Sequence, residues 1–568
     1  MKLLNPLNFT AETFALKYLD LKNLFPGKPD WFMRIMAGIT DFIHWIIDAR
    51  AQDVSCISNT ITDEQLQNIC QELDYHPVNR SAATMDIYIY SDVEKYIGKD
   101  YEFNLITRAG VIHFVSPKSY LLSVGLTPVT MIQGSWDTRI IGYSNTSEWQ
   151  KFFIEDSSFD WNSINVFVNN EPWTRVETLV NSEFDSKHYR LIYKGNSIAV
   201  EFGNGYFGLI PELNAEIMIE GIRTSGSNGM FPTKNELVTT SFTSNNTINQ
   251  TFLLPENTIE ETIRVKNEGY YWKVRPTLQE GGKTVMLTRQ SDGKILLTFG
   301  DGVISDIPDN LVEITYNNHD LTLPTGVFLR TGPTGGSDRE LPTVTKELAP
   351  KFLRTQYNAV SQESYSMLAR KFSSVVYAKT FPGYYGQNTI GLHIIPTGGG
   401  NPSTYLKQQI TDYISPKMPL NGAILSVRNP KYVEVDAEIT IKLRTDKPYD
   451  FLKESQFVHF IFEILTNELK FYFYSLYLTS SIYDFVDYIN TQRNYTFTQA
   501  DFGQIQRICN WVFRERPEIW GSSFIPEDFA HVIHLMYSVQ NVNLINPVTV
   551  YLEQDEVMTT GTITISQV

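Results

Sequence analysis

Three patterns of apolar and polar residues divide the chain. Over residues 31–56 apolar positions recur at heptad spacing. Phe32, Ile39 and Ile46 form one row, Ile35, Phe42 and Ala49 a second, and Met36 and Ile43 widen the stripe. A seven-residue repeat keeps one seam facing a partner helix, and a wide stripe suits a bundle of more than two helices. Two readings stand for it. One is an assembly interface made by Phe32, Ile35, Ile39, Phe42, Ile43 and Ile46; the other is an ordinary amphipathic helix that covers its own chain's core. A second helix is expected from the capping-box pattern Thr62-Asp63-Glu64-Gln65, through Leu66, Ile69, Cys70 and Leu73, to a stop before Pro77.

From Thr84 the period shortens to two: Met85, Ile87 and Ile89 alternate with polar or aromatic positions. Strand-like runs follow at Val111–Val115, Ile164–Val168, Tyr189–Tyr193, Ile198–Phe202, Ala215–Glu220, Lys294–Phe299 and Leu311–Tyr316. One repeat is visible among them. Phe202-Gly203-Asn204-Gly205 precedes Ile210-Pro211, and Phe299-Gly300-Asp301-Gly302 precedes Ile307-Pro308 at the same spacing. Two related β units are implied, with these glycines and Asn204 or Asp301 as structural turns, because such residues reach positive φ at little cost. Thr331–Ser337, TGPTGGS, reads as a flexible joint.

Beyond it helices and strands alternate without regular βαβ spacing. A helix opens at Ser361-Gln362-Glu363 and runs to about Phe372; Val375–Ala378 and Thr389–Ile395 read as strands; Gly398–Gly400 is a loop, and Pro402 starts a helix. Val433, Val435, Ala437, Ile439, Ile441 and Leu443 then alternate with polar residues, so the odd positions should face a core. Residues 451–535 look helical and aromatic-rich, and Asn543–Val568 returns to a β pattern at Thr559–Ile565. The expected fold is multidomain α+β: an N-terminal helical bundle segment, a β-rich middle with two related β units, and α+β C-terminal domains. The expected divisions are a helical assembly segment at 1–83, a first β-rich domain at 84–230, a second β-rich unit at 231–335, an α+β domain at 336–448, and a helical and β region at 449–568.

Composition narrows the function. The 568 residues are 42% hydrophobic, enough for several cores. Only 19% are charged while 13% are aromatic, a balance that suits large permanent interfaces. With 47 basic against 63 acidic residues the net charge is −16, and no dense Lys/Arg cluster appears, so neither nucleic acid nor an anionic membrane is an expected partner. His459–Tyr477, the most apolar stretch, is broken by Glu463, Asn467, Glu468 and Lys470, and the opening MKLLNPLNFTAETFALKY lacks a signal-peptide pattern. Cys56, Cys70 and Cys509 are too few and scattered for a disulfide framework, and read as thiols of a reducing compartment.

Motif chemistry is thin. Gly203-Asn204-Gly205-Tyr206-Phe207-Gly208 matches G-x-G-x-x-G, but Leu209-Ile210-Pro211-Glu212 and a strand follow, where a dinucleotide fold needs a helix N-terminus. Gly398–Gly400 stands between a strand and a helix, where an anion could sit, yet no Gly-Lys-Ser/Thr follows. His531 and His534 lack the further ligands of a zinc site. Asp301 and Asp306 read as turn residues, although sequence cannot measure the carboxylate separation of a glycosidase. Neither G-x-S-x-G nor H-E-x-x-H occurs. No catalytic, cofactor or metal residues are therefore assigned, and the chain is not expected to be an enzyme.

Four stretches resemble the baseplate protein J family, wedge proteins of contractile phage tails and related injection systems. They are the helical DFIHWIIDARAQDVSCISNTITDEQLQNICQELDYHPVNRSAAT; the turns FGNGYFGLIP and FGDGVISDIP; SQESYSMLARKFSSVVYAKT; and, closest, PTGGGNPSTYLKQQITDYISPKMPLNGAILSVRNPKYVEVDAEITIKL. Asn204 departs from the Asp usual in the family's turn, and residues 470–520 match nothing in the pattern and look like an insertion. The resemblance implies a structural, non-enzymatic wedge subunit of a virion tail baseplate, assembled in the host cytoplasm. Its implied partners are a second copy of itself within a wedge, other wedge proteins joined through a helical bundle, and the hub and sheath-initiator proteins. The C-terminal region, 449–568, would join neighbouring wedges into a ring, and the whole would rearrange when the sheath contracts. The competing reading is a receptor-binding or carbohydrate-active tail protein, with surface Trp and Tyr stacking on sugars.

Overall fold

A computed structural model describes residues 80–466 and 495–567, apart from short breaks at 100, 108–109, 157, 195–196, 231–235, 280, 341, 356, 385, 420–422, 446–448, 516–518, 520–523, 537, 547–549, 551 and 553. It also describes Leu66, Cys70, Tyr75, Pro77, Val486, Ile489 and Asn490. Phe32, Ile35, Ile39, Phe42, Ile43 and Ile46 lie outside the described residues, as do the capping-box residues at 62–65 and about half of the stretch read as an insertion. The expected N-terminal bundle therefore falls outside the described residues.

The first sheet is built on Thr84–Ser91. It pairs antiparallel with Gly125–Gln133 on one side and with Val327–Leu329 on the other; Gly110–Val115 and Glu102–Thr107 complete the order. Met85, Ile87 and Ile89 point into its core with Phe103, Leu105, Phe114, Val129, Met131 and Leu329, as period two requires. Chain about 240 residues away thus closes the sheet that the first strands open.

Between those strands lie the two β units. The first has strands Ser135–Tyr143, Lys151–Ile154, Asn165–Val168, Glu171–Pro172 continued by Thr174–Arg175, His188–Lys194, Ser197–Phe202 and Glu216–Arg223. The second has Glu236–Thr243, Thr251–Leu254, Arg264–Asn267, Tyr270–Arg275, Thr284–Arg289, Ile295–Thr298 and Leu311–Asn318. Their pairings coincide throughout. Counted in chain order, strand one pairs with seven, seven with three, three with four, four in parallel with five, five with six, and six with two. In both, a buried Trp of the fourth strand packs edge-on against the Phe that opens the glycine turn: Trp173 on Phe202 at 5.1 Å and Trp272 on Phe299 at 5.9 Å.

The segment Thr331–Ser337, expected to be a flexible joint, is pinned. Thr334 exchanges backbone hydrogen bonds with Thr84, and Ser337 with Ser81. Gly335 takes a φ of 81°, and Gly336 serves close approach: a Cβ there would stand 2.6 Å from the Gly226 carbonyl oxygen and 3.0 Å from Ala83 Cβ.

The α+β domain follows, with helices α1 (Pro342–Arg354), α2 (Gln362–Ala369) and α3 (Thr404–Ile414). They cover a sheet in which Thr389–Pro396 pairs antiparallel with Val375–Pro382 and parallel with Ile424–Arg428. Ser361 caps α2 as its sequence pattern suggests. The third helix begins at Thr404, not Pro402, because the Ser403 hydroxyl accepts from the Leu406 amide and so takes the cap. Leu66, Cys70 and Tyr75 join this core, so the described part of the second N-terminal helix serves its own chain.

Lys431–Leu443 leaves that domain to become the centre of a last sheet, flanked by Val539–Asn546 and, in parallel, Glu556–Gln567. Val435, Ala437, Ile439, Ile441 and Leu443 are buried under helices α4 (Phe451–Leu465), α5 (Phe502–Glu515) and α6 (Pro526–His534); Glu438 and Lys442 are exposed. The strict alternation is a half-buried strand because only one face has helices to meet.

Candidate functional site

The two glycine turns occupy the same place in the two units, between strands six and seven. In the first, Asn204 Oδ1 accepts from the amides of Tyr206 and Phe207; in the second, Asp301 Oδ1 accepts from Val303, Ile304 and Ser305. These amides, Val303's foremost, hold the Asp301 carboxyl below the usual range. Gly205 and Gly302 take positive φ, at 85° and 72°. Gly203 and Gly300 serve contact instead: a Cβ there would lie 2.3 Å from Gly208 O and 2.0 Å from Asp306 O. Each turn lifts a pair of large apolar residues into solvent, Tyr206 with Phe207 and Val303 with Ile304.

Beside each turn lies a loop whose repetition is not obvious in the sequence. Ser144-Asn145-x4-Gln150 and Ser244-Asn245-x4-Gln250 fold alike. Gln150 and Gln250 donate to the serine hydroxyl and accept from the asparagine amide; the serine hydroxyl donates to Pro211 O or Pro308 O. The turn glycines' carbonyls accept from Trp149 and Asn249, so loop and turn form one brace at the end of each unit.

The units are held by a junction. Asp86, in the middle of the first sheet, accepts from the Thr130 hydroxyl through one oxygen, at 2.5 Å, and from the Thr404 amide (3.3 Å) and hydroxyl (3.1 Å) through the other. The N-terminus of α3, next to Gly398–Gly400, thus already faces an anion of its own chain. Gln133 ties the first unit by accepting from the Thr224 hydroxyl (2.6 Å) and Ser225 amide (2.9 Å). Arg289 ties the second. Its buried guanidinium spends five donors on Glu260 Oε1 (2.8 Å), Gly293 O (2.8 Å), Thr258 O (3.0 Å), Leu329 O (3.1 Å) and Glu256 O (3.2 Å). Leu329 belongs to the first sheet, so the clamp crosses between domains. The fully buried Asp555 pairs with Lys431 at 2.5 Å within the last sheet and accepts from the Tyr384 hydroxyl of the α+β domain at 3.4 Å.

The remaining candidates do not converge. His531 and His534 are exposed on α6, His531 against Trp511, and Asp306 is exposed beyond the second turn. Cys70 and Cys509 are buried free thiols, burial pushing Cys70 up to about 12 and Cys509 higher still. No described helix is long and apolar enough to cross a membrane. What the sequence left unseen are the braces' Ser-Asn-x4-Gln pattern, 100 residues apart, and the clamp of Arg289.

No protein-family model matches the chain, and no curated protein matches it. Among solved structures, it aligns with a chain of the anti-feeding prophage baseplate, a six-fold symmetrised cryo-electron-microscopy structure. The identity is 11% and the TM-score 0.26, over 97% of this chain and 91% of that one. An overlay at that TM-score carries no argument about fold or role.

Proposed function

We propose that the chain is a structural subunit of a contractile-tail baseplate, working as a wedge component and not as an enzyme. The observation that carries the reading is the duplicated β unit. The FGNG and FGDG segments, among those by which the sequence resembles the baseplate protein J family, brace the same turn of two units with the same strand pairing. The buried polar contacts described above join domains, which is what a rigid connector needs.

In this reading the stripe Phe32, Ile35, Ile39, Phe42, Ile43 and Ile46 bundles with a second copy and another wedge protein. The region 449–568 joins neighbouring wedges into a ring around the hub, and the ring rearranges on sheath contraction. The double change Ile39→Asp with Phe42→Asp tests it in a phage or injector assembled in its host cell. Tails without baseplates, with the purified chain still folded, support the wedge role; normal baseplates overturn it. Hydrolysis of peptidoglycan or polysaccharide by the purified chain, lost on changing one carboxylate, would overturn the non-enzymatic reading, and glycan binding would favour a receptor-binding role.

A further inference from the structure

Asp160 sits where three parts of the molecule meet. It belongs to the turn that precedes Asn165–Val168 of the first β unit. Its amide donates to Ile222 O (2.8 Å), and the next amide, of Trp161, donates to Arg80 O (2.9 Å) on the segment entering the first sheet. The carboxylate has only weak donors for a group 5% exposed: Oδ1 stands 3.4 Å from both the Ala82 and Asn162 amides, at the outer limit of a hydrogen bond, and the Ser163 hydroxyl adds a lesser contribution. It has no ion pair among the described residues. Beside it is a cavity of about 10 Å3, lined by Ser81, Ala82, Asn162, Ser374, Tyr405 and Gln409, the last two from α3. That is room for about one water. The Ser374 hydroxyl, buried at its edge, has no hydrogen-bond partner among the described residues.

Few charges face this carboxyl. Arg175, on its own unit, lies 5.0 Å over the Trp161 ring and donates to Trp161 O at 2.7 Å; Tyr189, Glu177 and Tyr413 surround that guanidinium. Tyr405 faces it from α3, its own hydroxyl raised by burial and by Asp160. Arg80, on the entering segment, is engaged at 3.1 Å with Asp338. Burial therefore outweighs the partial donors and pushes the Asp160 carboxyl up to about 6.

We propose that Asp160 is a proton-operated latch: as the neutral acid it lets the first β unit, the entry to the first sheet and α3 close on one another, and its ionisation loosens that three-way contact. The sign follows from linkage. The carboxyl ionises near pH 3.8 when the junction is open and near 6 when it is closed, so opening becomes easier as pH rises through that window and levels off above it.

Hydrogen exchange of the full chain between pH 4 and 7, corrected for the intrinsic exchange rate, tests this. Peptides spanning residues 80–83, 158–164 and 403–410 should open on the order of fifty-fold more at pH 7 than at pH 4. Asp160→Asn should flatten that profile, while Asp412→Asn, at an exposed carboxyl on α3, should keep it. Asp160→Ser, neutral and smaller, replaces Asp160→Asn if the latter does not fold, with the same expectation. A flat wild-type profile overturns the proposal, as does a neutral variant that keeps the wild-type profile.

Discussion

Replacing Arg289 with Met removes the clamp between the second β unit and the first sheet. The side chain is 2% exposed and its partner Glu260 12%. Met fills much of the volume, so the loss is polar. Among the described residues Glu260 keeps only Arg330, 4.0 Å away, as an opposite charge, and the carbonyls of Gly293, Thr258, Leu329 and Glu256 lose a donor. Breaking a buried pair by removing one partner costs about 3–5 kcal/mol, and orphaned carbonyls that water cannot reach add to it. A loss of about 4–5 kcal/mol is therefore expected, much of the stability of a typical domain. Urea unfolding with hydrogen exchange at Val327–Leu329 and Thr284–Arg289 reads both the size and the place of the effect. Arg289→Lys should recover less than half, because an ammonium carries three donors and no fork. Arg289→Met with Glu260→Leu should be more stable than Arg289→Met alone, since no charge is left buried. A loss under about 1 kcal/mol in Arg289→Met, or full recovery with Lys, would refute the reasoning.

Ile439→Asp buries an unpaired charge in the central strand of the last sheet and should cost several kcal/mol in denaturation, about 3 or more, whereas exposed Glu438→Ala should stay within about 0.5 kcal/mol. Gly300→Ala drives a methyl against Asp306 O and should lower the unfolding midpoint of the second unit by about 2–4 kcal/mol of stability; an unchanged midpoint would mean that the turn yields freely. His393, buried against Phe381 at 5.2 Å, has its imidazole lowered by burial to about 4. Its contribution is present above pH 6.5 and is lost as pH falls from 6.5 towards 4. His393→Gln should remove about 2–3 kcal/mol of acid sensitivity in that window, a pH–stability comparison with wild type being the check.

Where one face of an element meets a core and the other meets water, the sequence was legible. Val435 to Leu443 alternates for that reason, and the helix at Ser361 announces itself by its cap. The duplicated unit was visible through one turn because the Phe, the glycines and the Asn or Asp are each demanded by geometry. The accompanying braces escaped notice because only Ser, Asn, Gln and one hydroxyl residue, Ser147 or Thr247 donating to the asparagine Oδ1, recur in each seven-residue loop; Thr146 and Asn246, or Trp149 and Asn249, share a positive φ but no chemistry. TGPTGGS misled in the other direction. Its glycines suggest freedom, yet Gly336 is small so that Gly226 and Ala83 can approach. The pairing of Val327–Leu329 with Thr84–Ser91 leaves no local trace, since a three-residue strand has no period and its partner lies some 240 residues away. Asp86 at the head of α3 likewise needs the fold to bring it there.

Cryo-electron microscopy of intact particles from cells producing this chain tests the central claim most directly. The account predicts density at the distal end of the tail, repeated around its axis, into which the two β units and the last sheet fit with the pairings described here. Particles complete in every part but holding no such density, or density for this chain only in a host-facing fibre, would contradict it.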